Sequence, residues 1–193
     1  MKFTDTFGHS NIVRSIYDLE RFKASPTPRG YPINMRTFWA PHDDVHGVLT
    51  ALFKSAQHSI VGSMYGWNDI EIAGLVAHAI DNPDMLVQLT LDKSQAGGVH
   101  ERDLLAQYKA EMESNSVAIG TSEKGAILHR KVFIIDGIWR ITGSTNFGDN
   151  AEMKQANELT VIQDAVTCAE ARHMLDLAHV KALTQMGAWH ARS

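Results

Sequence analysis

One cysteine, Cys168, occurs in the 193 residues. This excludes an internal disulfide and any cysteine-rich metal cage, and it fits a reducing compartment. No apolar run approaches the roughly 18 residues that a bilayer span needs. The opening stretch MKFTDTFGHSNIVRSIYD has no apolar core of signal-peptide length, so the expectation is a cytoplasmic chain without stable membrane association. Charge of neither sign dominates: 18 Lys and Arg against 22 Asp and Glu give a formal net charge of -4. That balance excludes a protein that coats nucleic acid by overall charge, so any polyanion has to be met locally. Low-complexity segments and internal repeats are also missing, so any motif occurs once.

What is present is a chain that is 44% hydrophobic, enough for one sizeable core and cramped for two. Residues 10 to 24, SNIVRSIYDLERFKA, offer Ser10 as a cap and place Ile12, Ile16, Leu19 and Phe22 on a helical stripe before SPTPRGYP interrupts it. Residues 1–33 therefore read as a helical arm and linker, packed on its own domain or exchanged within an oligomer. From residue 34 to 193 one α/β domain is expected. RTFWA, SIVGSMY and MLVQLTLD read as strands, alternating with helices in DVHGVLTALFKSAQ, DIEIAGLVAHAI and ERDLLAQYKAEME. SVAIG, a hairpin, a strand at ELTVI and a last helix from about Asp164 to Leu183 follow. This rhythm predicts a mixed, largely parallel sheet with helices on both faces.

Residues 128 to 161, LHRKVFIIDGIWRITGSTNFGDNAEMKQANELTV, carry polar residues at the mouth of an apolar hairpin. Asp136-Gly137 between two β-rich runs predicts a type I′ turn, which needs positive φ at both central positions. Without a bulge, Ile135 faces Ile138 and His129 comes opposite Ser144, with Cβ atoms about 4.5–5.5 Å apart. Period two then puts Lys131 and Thr142 on that face and turns Arg130 and Asp136 to the other. Asn146 joins the cluster if the chain stays extended. The cluster is either a site or a solvated hairpin end. As a site it suits a phosphate: a neutral imidazole attacks phosphorus while Lys131, Ser144 and Asn146 stabilise the growing charge, with no metal or other cofactor required.

His129-x-Lys131, four residues, Asp136, six residues, then Gly143-Ser144-x-Asn146 resembles the HxKx4Dx6GSxN signature of the phospholipase D superfamily. The segment FWAPHDDVHGVLTALFKSAQHSIVGSMYGWNDIEIAGLVAHA, and LDKSQ after it, resembles the small bacterial nucleases of that superfamily. The resemblance spans roughly residues 35 to 165. It implies a phospholipase D-like catalytic domain and a two-step displacement through a phosphohistidine, with a second histidine protonating the leaving oxygen and then activating water. Two motifs are needed per site and this chain has one. A homodimer is therefore implied, with His129 of each subunit meeting across a twofold axis, and so is a bell-shaped pH profile. The family's acidic residue that holds the histidine ring maps to Glu158, with Glu152 as runner-up, otherwise a solvated loop charge. Asp136 and Gly143 are assigned structural roles. Nucleic acid is the expected substrate; phospholipid hydrolysis or transphosphatidylation, and a silent binding protein of the same fold, are the rivals.

Other residues have weaker signals. His42 and His46, with Asp43 and Asp44 between them, resemble a metal set, but Asp at a helix start reads better as capping, and no metal site is expected. His173 and His179 read as solvated or interfacial. Tyr65 and Trp67 follow a strand end where parallel sheets bind ligands; they stack on substrate or pack in the core. Lys124, Arg130, Arg140 and Lys154 add positive charge around the motif, with Arg130 and Lys154 the candidates for substrate contact.

Overall fold

The structure is a computed structural model describing residues 12–95 and 116–190. The helix expected at ERDLLAQYKAEME and the cap at Ser10 lie outside the described residues. Among the described residues seven strands form one sheet: β1 (Met35–Ala40), β2 (Ser59–Met64), β3 (Leu86–Asp92), β4 (Val117–Gly120), β5 (Lys131–Ile135), β6 (Trp139–Gly143) and β7 (Asn157–Gln163). Their order is β1-β7-β6-β5-β2-β3-β4. β2, β3 and β4 pair in parallel, whereas β5, β6, β7 and β1 continue from β2 by antiparallel pairs. As a result only β5 and β7 run against the other strands, and the sheet is mixed, as expected.

Helices cover both faces. On one lie α1 (Val45–Lys54) and α2 (Ile70–Ile80), whose Val48, Leu49, Leu52, Ile72 and Val76 join Phe38, Ile60, Phe133 and Val161 in the main core. Asp44 and Asp69 start these helices by accepting the amides of Gly47 and Ile72, the N-cap chemistry expected of Asp. On the other face α4 (Ala165–His190) buries Cys168, Ala171 and Leu175 against Val61 and Ile134. Burial pushes the Cys168 thiol up to about 11, so it is an inert packing group. β2 is buried along nearly its whole length, as a strand with neighbours on both edges and helices on both faces must be. Its Gly62 lies beneath the Phe133 ring, where a Cβ would come within 2.3 Å of the ring atoms.

Three sequence expectations change. The N-terminal segment forms a 3₁₀ helix, Ile16–Phe22, begun by Ser15, whose amide donates to Asp18. Ile16 and Leu19 are buried at the period of three that a 3₁₀ helix imposes; in the segment before it Val13 is buried and Ile12 exposed. The segment packs into its own chain's core and is stapled there by Lys23 on Asp43 at 2.8 Å and by an Arg36–Glu20 pair. The last helix runs seven residues past Leu183, to His190, and a short helix that the sequence did not suggest, α3 (Asp149–Met153), follows the motif.

The hairpin register also differs by one residue. The turn has the expected positive φ at Asp136 (53°) and Gly137 (69°), closed by Ile138 N donating to Ile135 O. Pairing, however, resumes at Ile135↔Trp139, leaving Ile138 as an extra residue. A tertiary bond accounts for the bulge: Ile138 O accepts the Asp164 amide at 2.9 Å. Thr142 consequently faces Val132, not Lys131, and His129 is not set opposite Ser144.

Candidate active site

The ends of β1 and β6 meet the beginnings of β5 and β7 at one edge of the sheet, the edge to which most strands run and where α/β sheets bind ligands. There a cleft of about 1010 Å³ is lined by His129, Lys131, Thr142, Gly143, Ser144, Asn157, Glu158 and Thr160, with Trp39 to His42 on its far wall. Lys131 and Thr142 share it in spite of the shifted register, because at the end of a sheet a cleft collects side chains from both faces.

Lys131 opens β5 and is 7% exposed. Its ammonium lies 4.8 Å from the centroid of the Tyr65 ring and donates to the His129 carbonyl at 3.2 Å. No carboxylate among the described residues pairs with it, and burial holds its pKa below the usual lysine value. A half-desolvated cation facing a cleft without a counter-ion favours an arriving anion.

His129 precedes β5 and is exposed. The edge of one ring meets the other where it packs on Tyr65, centroids 4.6 Å apart. Leu128, the residue before it, is buried and donates its amide to Asp92, so the backbone entering the site is fixed while the imidazole remains open to the cleft. Ser144 donates to Asn157 Oδ1 at 3.0 Å and accepts the Glu158 amide at 3.0 Å. Gly143 has φ 151°, and a Cβ there would meet the Glu158 carbonyl at 2.3 Å; glycine lets β6 and β7 close beneath the site. Glu158 lines the cleft across from Trp39.

Other candidates sit elsewhere. Asn146 turns to Gly66, whose amide it accepts at 3.3 Å, and does not line the cleft. Trp67 is not a substrate platform: it is 2% exposed, edge-on to Phe133 and Phe147 at 5.8 and 5.2 Å, and its indole donates to Asp69 O. Arg130 points to the α4 face, as parity requires, and donates to Met174 O. It lines a second groove with Lys124 and Lys181 that also reaches His129. Arg140 is held by Glu170 and the Thr167 carbonyl, and Lys154 is exposed, away from the cleft lining. Asp136 lies in the turn, where its carboxylate accepts the amides of Gln57, His58 and Ser59 and so anchors the start of β2.

The aspartates of HDDVH behave as structural groups, Asp44 as a cap and Asp43 buried on Lys23, but the histidines part company. His42 lines the cleft, whereas His46 meets two buried carboxylates, Asp69 and Glu152. Glu152 is thus no solvated loop charge: its side chain is fully buried. Burial, with Asp69 nearby, pushes its carboxyl up to about 7. Burial disfavours the charged form of His46, yet the hydrogen bonds to Glu152 and Glu71 prevail and raise it to about 9. His179, for its part, is buried against Thr90 instead of solvated.

Trp39, His42, Asn157 and Thr160 escaped sequence reasoning as site residues. The available signal was the cross-strand pairing of β1 with β7, which puts Trp39 against Glu158 and Thr37 against Thr160; two strands more than 110 residues apart in sequence do not announce that pairing.

Residues 49–176 match the family described as "Cardiolipin synthase, PLD-like domain", most of the 193-residue chain. The chain belongs to this phospholipase D-like family and is an enzyme of the phosphodiesterase type. A phospholipase D of Rickettsia bellii is 33% identical over 96 residues, which are 46% of this chain and 48% of that protein, so the matched part spans about half of that relative. Among solved structures, the phospholipase D family member Nuc of Salmonella typhimurium superposes with a TM-score of 0.64 at 20% identity, over 74% of this chain and 91% of Nuc. NucT of Helicobacter pylori gives 0.58 at 19% identity, over 78% of this chain and 95% of NucT. Among the described residues, no helix is long and apolar enough to cross a membrane.

Proposed function

We propose that the chain is a metal-independent endonuclease acting on DNA or RNA through a phosphohistidine, with residues 34–193 as its catalytic domain. Lys131, buried without a counter-ion among the described residues and beside His129 and Ser144, carries this reading. A phosphodiester entering the cleft supplies the missing anion, and Lys131 and Ser144 bind its non-bridging oxygens. His129 attacks phosphorus, and the P–O bond to the leaving nucleoside breaks as the P–N bond forms. A second imidazole gives its proton to the leaving oxygen, then removes one from water. That water attacks phosphorus, the P–N bond breaks and His129 is regenerated. One motif per chain leaves the second imidazole to His129 of a second copy across a twofold axis. The His129 ring, exposed and with no hydrogen bond to a described residue, suits such a shared site. Glu158, on the same cleft lining, is the carboxylate that orients it, with Tyr65, packed on the ring, as a substrate contact.

Small size favours nucleic acid, since almost the whole of Nuc and of NucT is covered by this one-motif chain. A phospholipid substrate is the second reading, favoured by the name of the Rickettsia bellii relative. The two are separated by incubating the protein in EDTA with plasmid, single-stranded DNA, RNA and phosphatidylcholine. Cleavage of a nucleic acid in chelator, absent in His129→Ala, is the expected result. Headgroup release without strand cleavage selects the lipid reading, and loss of cleavage in EDTA from a chain that stays folded removes the metal-free mechanism.

A further inference from the structure

We propose that His46, Asp69 and Glu152 hold one divalent transition-metal ion, Zn²⁺ foremost, as a structural clip behind the cleft. The three residues come from the first turn of α1, the cap of α2 and the body of α3. Their ligand atoms lie within 4.8 Å of one another. The Asp69 and Glu152 side chains are 4% and 0% exposed, and His46 at 26% gives the group its contact with solvent.

The geometry sets two carboxylate oxygens on one ring nitrogen. Glu152 Oε2 is 2.7 Å from His46 Nδ1, and Asp69 Oδ2 is 3.0 Å from the same nitrogen. A ring nitrogen has one in-plane direction, and Glu152 takes it. Asp69 Oδ2 is left buried, aimed at the cluster and without a hydrogen-bond partner among the described residues, although its other oxygen caps α2. Leaving a carboxylate oxygen in that state is costly, and the single Nδ1 proton cannot serve both oxygens. A dication can: with neutral imidazole, two carboxylates balance its charge and all three atoms become ligands.

The remaining atoms complete the site. Glu152 Oε1 is occupied by the Gly148 amide at 2.5 Å, leaving Oε2 to bind alone. His46 Nε2 faces Glu71 Oε2 at 3.1 Å, and Glu71 is in turn held by Lys54 at 2.8 Å. A carboxylate behind a ligating imidazole fixes its orientation and raises its basicity. Ligand bonds of about 2.0–2.2 Å at tetrahedral angles need donor atoms about 3.3 Å apart, so the two oxygens, at 3.0 and 2.7 Å from His46 Nδ1, each move out by about 0.3–0.6 Å. One nitrogen and two oxygens suit a first-row ion better than Ca²⁺ or Mg²⁺, which take six or more oxygens. The ion would tie both helix starts to the segment that follows Ser144 and Asn146, bracing the site while remaining outside its chemistry.

Titration of the full chain with Zn²⁺ by calorimetry, alongside thermal melts, tests the proposal. One saturable ion per chain and a raised melting temperature are expected, with binding lost in His46→Ala and Glu152→Gln and weakened about 10–100-fold in Glu71→Gln. His58→Ala and His173→Ala, exposed histidines elsewhere, retain it. Circular dichroism establishes that the variants fold; if they do not, anomalous diffraction from the zinc-soaked wild-type protein locates the ion. No saturable binding, binding that survives Glu152→Gln, or an ion found away from these three residues overturns the proposal.

Discussion

Replacing His129 with alanine lowers kcat by on the order of 10⁴-fold or more while the protein stays folded. The size follows from the shared site. In a homodimer one substitution deletes both the nucleophile and the acid, and each such role is worth orders of magnitude. The ring is exposed and meets Tyr65 edge to face, so its loss does little to the fold. Asp136→Asn is the control within the same motif. Asp136 accepts three backbone amides at the start of β2, and an amide nitrogen in place of one oxygen sets donor against donor. The cost is about 1–2 kcal/mol, read as a melting temperature lower by about 2–8 °C, with turnover per folded molecule kept within a few-fold. Single-turnover kinetics and melts on both variants check this; comparable losses of turnover would refute the division of roles.

Lys131→Met is expected to divide activity from stability in the opposite sense. The ammonium is buried on an aromatic face with no carboxylate partner among the described residues, so it costs free energy in the resting protein. Methionine has similar volume and no charge, and removal of a buried unpaired ion is neutral or stabilising. In the transition state the same ammonium meets charge building on the phosphoryl oxygens, where one such donor is worth about 10²–10³-fold in kcat. The variant should therefore melt at the same temperature or higher and turn over about 10²–10³-fold more slowly. A destabilised Lys131→Met with near-normal kcat would make Lys131 a packing residue. Arginine is not a substitute: its planar fork does not fit a pocket shaped for a single point charge.

Local chemistry made much of this legible. The hairpin turn, the strands and the alternation with helices depend on neighbours in sequence, and so does the clustering of His129, Lys131 and Ser144. What the sequence concealed was set by contacts across the chain. One hydrogen bond from Asp164 to Ile138 shifted the β5–β6 register, which no hairpin rule contains. Glu152 looks like a loop charge because its partners lie 106 and 83 positions away, at His46 and Asp69. Trp67 looks like a ligand platform at a strand end until Phe133 and Phe147 close over it. The N-terminal stripe read at a period of 3.6 took in Ile12, which lies before the 3₁₀ helix and is exposed, while Val13 beside it is buried.

The central claim is that two His129 rings, one from each of two chains, serve one phosphorus atom. Co-refolding wild-type protein with His129→Ala at graded ratios and measuring total nuclease activity tests it most directly. Mixed dimers hold one imidazole and are inactive, so activity is predicted to fall as the square of the wild-type fraction. A linear fall would contradict the claim and pass the second imidazole's role to a group within the chain, with His42 on the wall of the same cleft the first to examine.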